Sequence, residues 1–297
     1  MEGMAHNDEL SEFLRVRRAA LRPEAGGLLP PTGRRVPGLR REELASLAGV
    51  SVDYYTRLEQ GRPITPSEAV LDAIASALQL NPAERAYLHT VARQSRPSRR
   101  RTAPKAQSVR PGLLALIDQL GDTPAFVMGR RTDVLVANRM ARLLLADFTS
   151  MPARDRNATR WLVLDEGARS LFGDDWERVA SDMVGTLRMD AARHPDDPKT
   201  TALVGELSMT SHDFRRWWAD QKVVEFGHGN KTLRHPLVGE IHLETEAMTF
   251  PGDPDQMLIV FLAAPSSPAR HALDLLATWT EPGASPQLGT IVTQHGN

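Results

Sequence analysis

Apolar side chains recur every three or four residues along the first hundred positions, the spacing that gives a helix one buried face. Leu10, Phe13 and Leu14 mark the first such face, and Leu44, Leu47 and Ala48 the second. Val52, Tyr55 and Leu58 mark a third, and Val70, Leu71, Ile74 and Leu78 a fourth. A fifth opens at Asn81-Pro82, a capping residue followed by one suited to a first turn, and carries Tyr87, Leu88 and Val91. The pattern predicts an all-α bundle of about five helices over residues 8–94. From residue 95 to 105 a single alanine stands against two prolines and five cationic side chains, so residues 95–110 read as a basic linker.

Past the linker, short apolar runs alternate with amphipathic helices. Ala125-Phe126-Val127-Met128 and Val134-Leu135-Val136-Ala137 flank a polar connection and predict a hairpin. Helical spacing returns at Met140, Leu143 and Leu144, at Trp176, Val179, Ala180, Met183 and Leu187, at Leu203, Val204 and Leu207, and at Phe214, Trp217 and Trp218. Residues 240–249 then alternate strictly, with Ile241, Leu243, Thr245 and Ala247 on one face. The turn Pro251-Gly252-Asp253 leads back into the apolar run 257–263 as an antiparallel pair. The sum is an α+β domain with an antiparallel sheet over residues 111–279. The tail 280–297, rich in Gly, Pro, Ser and Gln, is expected to be disordered.

Composition narrows the function classes. At 297 residues the chain has room for two compact units. Its formal net charge of −1 conceals a front part, residues 1–105, with 17 basic and 12 acidic side chains, and hence an acidic remainder. A basic head on an acidic body suggests a polyanion-binding module joined to something else. Without cysteine there are no disulfides, thiolate metal sites or cysteine nucleophiles. No stretch approaches the ~20 apolar residues of a membrane span, and the first residues lack the basic start and apolar run of a secretion signal. A cytoplasmic location is the expectation.

Residues 41–60 carry the most specific signal. Two short helices can cross at a helix-turn-helix angle when the first is small at the crossing and the turn tolerates a positive φ, which Ala45 and Gly49 supply. Leu44, Ala48, Val50, Tyr55 and Leu58 would form the buried seam. Ser51 is placed to cap the second helix, so Ser51, Val52, Asp53, Thr56 and Arg57 would face base edges in a major groove. Arg40, Arg41 and Arg62 read as phosphate clamps that fix register and add salt-dependent affinity. The expected partner is a double-stranded DNA operator.

With these residues in view, residues 8–94 resemble the helix-turn-helix of the XRE (Cro/C1-type) regulators. They also match a subgroup marked here by Gly33-Arg34-Arg35-Val36-Pro37-Gly38-Leu39-Arg40-Arg41-Glu42-Glu43-Leu44 and by Val50-Ser51-Val52-Asp53-Tyr54-Tyr55-Thr56-Arg57-Leu58-Glu59-Gln60-Gly61-Arg62. That subgroup has a long connection between its first two helices. Arg34 and Arg35 in it either reach into the minor groove beside the recognition helix or remain in a solvated loop.

The second domain offers little catalytic chemistry. His228, His235 and His242 recur every seven residues, which matches no compact metal motif, and no Gly-x-Ser-x-Gly elbow occurs. An enzyme, a metal site and a cofactor are not expected. Trp161, Trp176, Trp217, Trp218 and the run 257–262 supply wide apolar surface for either a core or a ligand cavity. Residues 111–277 resemble the MmyB-like ligand-binding domain, a PAS-like α+β fold. The resemblance is carried by Thr123-Pro124-Ala125-Phe126-Val127, Val134 through Ala141, His194-Pro195-Asp196-Asp197-Pro198, Phe214-Arg215-Arg216-Trp217-Trp218 and Lys231 through Gly239. It implies a small apolar or amphipathic, fatty-acid-like ligand and polar positions at Asn138 and His235. Arg130 is added as a carboxylate partner on chemistry alone, and Trp217 and Trp218 as apolar wall. Asn138 can equally cap the helix that follows it, and His235 can serve a turn. Many members carry His-Asp before the valine after the tryptophan helix, whereas Gln221-Lys222 precede Val223 here. The expected whole is a homodimeric, one-component transcription regulator. A second domain that only dimerises or docks proteins is the alternative.

Overall fold

The computed structural model describes residues 7–22, 38–94 and 107–278. The front part comprises α1 (Asp8–Ala20), α2 (Arg41–Leu47), α3 (Val52–Glu59), α4 (Glu68–Ala77) and α5 (Pro82–Gln94). Short helices need their first N–H groups satisfied, and the sequence provides for it. Asn7 accepts from Leu10 N–H, Ser51 from Tyr54 N–H and Ser67 from Val70 N–H. Asn81 and Glu84 exchange side-chain to backbone bonds in a capping box. The apolar faces converge on Leu10, Phe13, Leu14, Leu44, Tyr55, Leu58, Ile74, Tyr87, Leu88 and Val91, all at or below 1% exposure. Leu47 and Val52, assigned to apolar faces by spacing, are instead 39% and 42% exposed. On α2 the inward stripe is Leu44, Ala45 and Ala48, which turns Leu47 outward.

The rear part begins with α6 (Pro111–Gln119), followed by β1 (Ala125–Met128), β2 (Val134–Ala137) and α7 (Arg139–Leu144). A helical stretch of α8 (Ala158–Leu164), α9 (Glu166–Phe172), α10 (Trp176–Arg193), α11 (Pro198–Thr210) and α12 (His212–Ala219) follows. β3 (Gly229–His235), β4 (Gly239–Phe250), β5 (Asp253–Leu262) and α13 (Pro268–Thr278) complete it. The five strands form one antiparallel sheet in the order β2-β1-β5-β4-β3. The run 257–262 is apolar throughout because β5 is covered on both faces. Ile259 and Phe261, with Phe126 and Met128 of β1, face α7 to α13, while Leu258 and Val260, with Ala125 and Val127, face Leu113 and Ile117 of α6.

Two expectations change. His235, expected in a turn ahead of a strand pair, is the last residue of a third strand and pairs with Gly239. Residues 107 and 108, assigned to the linker, are bonded into the rear domain: Gln107 accepts from Arg130 N–H at 2.7 Å and Gln256 donates to Ser108 O at 3.0 Å. Residues 95–106 of the linker and the tail from residue 280 lie outside the described residues.

The front bundle is docked on the rear domain through α10. Met189, Ala192 and Val223 join the apolar cluster formed by Phe13, Leu14, Tyr87 and their neighbours. Gly185 makes room for the segment after α12, since a Cβ there would stand 3.0 Å from Val224 Cγ2 and 3.2 Å from Lys222 O. Arg188, 1% exposed, pairs with Glu9 at 2.6 Å, and Arg17 donates to Gln221 O at 2.6 Å.

Candidate DNA interface and ligand cavity

Helix α3 is held at both ends. At its start, α2 closes in a Schellman motif, with Gly49 at φ +65° and Val50 N–H donating to Ala45 O at 3.0 Å. At its end, the buried carboxylate of Glu59 receives Arg18 Nε at 2.6 Å and Nη2 at 2.8 Å from α1, and Arg41 Nε at 2.9 Å from α2. Arg18 also donates to Leu39 O at 2.7 Å. Burial alone would raise the Glu59 pKa, but hydrogen bonds led by that from Arg18 outweigh it and hold the carboxyl below its ordinary value. One carboxylate thus fixes three helices around the turn.

The residues expected at base edges lie on α3 and at its cap. Ser51, Val52, Asp53 and Arg57 are exposed and Thr56 half-buried, with Arg57 4.0 Å from Asp53 one turn earlier. Arg62 follows on the exposed side, its N–H closing onto Arg57 O at 3.0 Å. Arg40 is exposed at the start of α2. Arg41 differs from the expectation of a phosphate clamp in that its Nε is engaged by Glu59. Arg34 and Arg35 lie outside the described residues.

The rear domain contains a cavity of about 440 Å³ between α10, residues 224–226 and the β4–β5 turn. Met128 and Met257 sit opposite each other on β1 and β5, on the helix-facing side of the sheet. With Val224, Phe226 and Phe250 they make its walls apolar. Helix α10 contributes Thr186, Met189, Asp190 and Arg193, positions that share one face by helical periodicity. The loop between β1 and β2 borders the cavity in a strained form, with Arg131 at φ +57° and Thr132 at φ +64°. Asp190 holds it there by accepting Arg131 N–H at 2.8 Å, while Asn157 donates to Arg131 O at 2.7 Å. Non-glycine residues in that region cost about 1–3 kcal/mol each and cluster at ligand and switch sites. Asp190 itself is pushed above the ordinary carboxylate range, chiefly by burial.

The model described as the MmyB-like transcription regulator ligand binding domain matches residues 109–276, more than half the chain, and one described as a helix-turn-helix domain matches residues 9–88. The chain belongs to the MmyB-like transcription regulators. The XRE-type architecture read from the sequence, a DNA-binding helix-turn-helix ahead of an MmyB-like ligand-binding domain, is therefore the architecture present. No curated protein matches the chain. Both matched domains are regulatory rather than enzymatic in kind. No helix among the described residues is long and apolar enough to cross a membrane.

Within this MmyB-like regulator the five ligand candidates read from the sequence are not gathered at the cavity. Asn138 caps α7 through Ala141 N–H at 2.9 Å, accepts from Ala125 N–H and donates to Thr123 O, which occupies its amide. His235 bonds Leu143 O at 3.0 Å and accepts from Leu237 N–H. Trp217 packs in the core against Trp176 with ring centroids 5.4 Å apart. Trp218 stacks on Phe214 and lies under the Arg188 guanidinium, beside a smaller cavity of about 270 Å³ at the contact between domains. Arg130 comes nearest, its Nε paired with Asp255 at 2.7 Å on the cavity's edge. Gln221 and Lys222, where the family pattern is departed from, serve the domain contact and α10: Gln221 O takes Arg17, and Lys222 reaches Asp182 at 2.6 Å.

Sequence reasoning passed over Glu59, Arg188, Met189, Asp190 and Asp255. A usable signal existed for Glu59, a carboxylate four residues after Tyr55 and so on the same helical face as that core residue, where exposure of a charge is not expected. For Asp190 and Arg188 the spacing within α10 places them beside Met183 and Leu187, but nothing local says which structure covers that side.

Proposed function

We propose that this protein is a ligand-responsive DNA-binding transcription regulator. On this reading α3 enters the major groove of an operator, with Ser51, Val52, Asp53, Thr56 and Arg57 at base edges and Arg40 and Arg62 on phosphates. A small apolar or amphipathic molecule occupies the cavity beside α10. Two chains pairing through the rear domain would set two α3 helices roughly 34 Å apart, one DNA turn, so the operator would be near-palindromic.

The observation that carries the reading is the double role of α10. Met189 lines the cavity and also packs in the apolar cluster of the front bundle. The adjacent segment repeats the arrangement, with Val223 in the bundle's cluster and Val224 in the cavity wall. A ligand that moves α10 or this segment therefore changes the seat of the DNA-binding domain without any intervening element. An effector acts only through different affinity for the two arrangements. The fatty-acid-like ligand implied by family resemblance fits the apolar walls, but its carboxylate would meet a wall bearing Asp190, Glu225 and Asp255.

Selection of bound duplexes from a random pool, with and without the small-molecule extract of the denatured protein, tests the proposal. An enriched near-palindromic sequence whose affinity changes with the extract is expected. Equal, purely ionic affinity for every duplex would overturn it.

A further inference from the structure

The charges around the cavity are not balanced. Its lining carries three carboxylates, Asp190, Glu225 and Asp255, against the single guanidinium of Arg193. Asp255 is matched by Arg130 at 2.7 Å and His194 at 3.1 Å, and Arg193 faces Glu225 at 3.7 Å. Arg131, whose backbone meets Asp190, turns its guanidinium away to Asp133 at 2.6 Å and Asp197 at 2.5 Å. Asp190 is left with a neutral N–H donor and with His194 Nε2 at 3.8 Å, a nitrogen already held more closely by Asp255. Its side chain is 16% exposed, and it stands beside Met189 on the α10 face that lines the cavity.

A carboxylate in such a place disfavours a second anion and favours a cation that brings its own apolar surface. Met128, Met189, Met257, Phe226 and Phe250 supply the apolar counterpart, the methionines as adaptable thioethers, while the Phe250 and Phe226 rings already carry Arg110 at 5.3 Å and Lys231 at 6.0 Å. A volume of about 440 Å³ lies within the range of small-molecule sites. We infer that the cavity takes an amphipathic cation, a primary or quaternary ammonium on a short apolar chain, with the ammonium seated on Asp190. The inference rests on the cavity being the ligand site proposed above.

Calorimetric titration of the full chain at pH 7.5 with octylamine, octanoate and octanol tests it, because the three share one tail. Octylamine is expected to bind at least tenfold more tightly than either of the others. Asp190→Asn, which keeps an acceptor for Arg131 N–H, should erase that preference while leaving octanol affinity unchanged, and Asp190→Glu should retain it. Octanoate binding as tightly as octylamine, or an octylamine preference that survives Asp190→Asn, would overturn the cation assignment and leave the cavity standing as the site. Binding by none of the three would overturn the cavity as the ligand site.

Discussion

Removing the Glu9 carboxylate tests whether the two domains are held together by the contact through α10. Arg188 is 1% exposed and its ionic partner is Glu9, 39% exposed, at 2.6 Å. Arg188 also donates to Trp218 O and lies 4.0 Å from the Trp218 ring, but both contacts are internal to the rear domain. In Glu9→Ala the docked state keeps a buried guanidinium without its anion, whereas the undocked state exposes Arg188 to water; the bond that Tyr87 O–H donates to Glu9 lies inside the front bundle and is lost in both states alike. Breaking a buried pair from one side costs about 3–5 kcal/mol. Because Glu9 sits at a partly exposed rim where water can replace it, the lower end, ~3 kcal/mol, is the appropriate figure. At 1.4 kcal/mol per decade, docking weakens by roughly 100-fold. Hydrogen exchange should accelerate in α1 and around Gln221, where Arg17 donates across the contact, with the interior strands β1 and β5 unaffected. Adding Arg188→Leu should recover much of the loss, since Leu needs no anion beside Met189 and Val223. Unchanged exchange in Glu9→Ala, or a double variant worse than the single, would refute the assignment.

Three further outcomes are expected. Glu59→Gln removes the charge shared by Arg18 and Arg41 and should cost about 3 kcal/mol, roughly 10–20 °C in the melting of the front bundle. Because the folded pKa of Glu59 lies below its unfolded value, this stabilisation is complete above about pH 4.3 and disappears as pH falls through the lower folded value, so melting curves of the two proteins should converge in acid. Asp190 has the opposite sign: its raised pKa means its ionisation opposes folding as pH rises through that value, so Asp190→Asn should melt higher than the parent at pH 7 and level with it near pH 3.5. Finally, Arg62→Ala should weaken binding to all duplexes alike and reduce the salt slope by about 1, whereas Thr56→Ala should alter the preferred sequence at unchanged slope. Gel-shift titrations at several salt concentrations distinguish the two.

The front bundle was legible because its information is local. Gly49 must be where a positive φ is needed, Ser51 where N–H groups lack partners, and Leu44, Tyr55 and Leu58 on one helical stripe, and each requirement is written within twenty residues of the turn. The β4–β5 pair was legible for the same reason, since its alternation and turn are contiguous. β3 was not. Its seven residues carry a single large apolar side chain, Leu233, and it is a strand because β4 offers an unpaired edge, which no property of residues 229–235 discloses.

The sequence by itself determined two domains, the helix-turn-helix with the outward residues of α3, and an α+β partner with apolar surface to enclose. Tertiary structure decided which polar groups are free to act. Asn138 and His235 look like ligand contacts in the chain and are occupied by nearby backbone, while Asp190 looks like one more exposed helical carboxylate and lines a cavity. The physical reason is that a side chain's chemistry depends on which charges and donors surround it. For Asp190 these come from the β1–β2 loop, β5 and its own helix, segments up to sixty-five residues away that meet only when the sheet closes against α10.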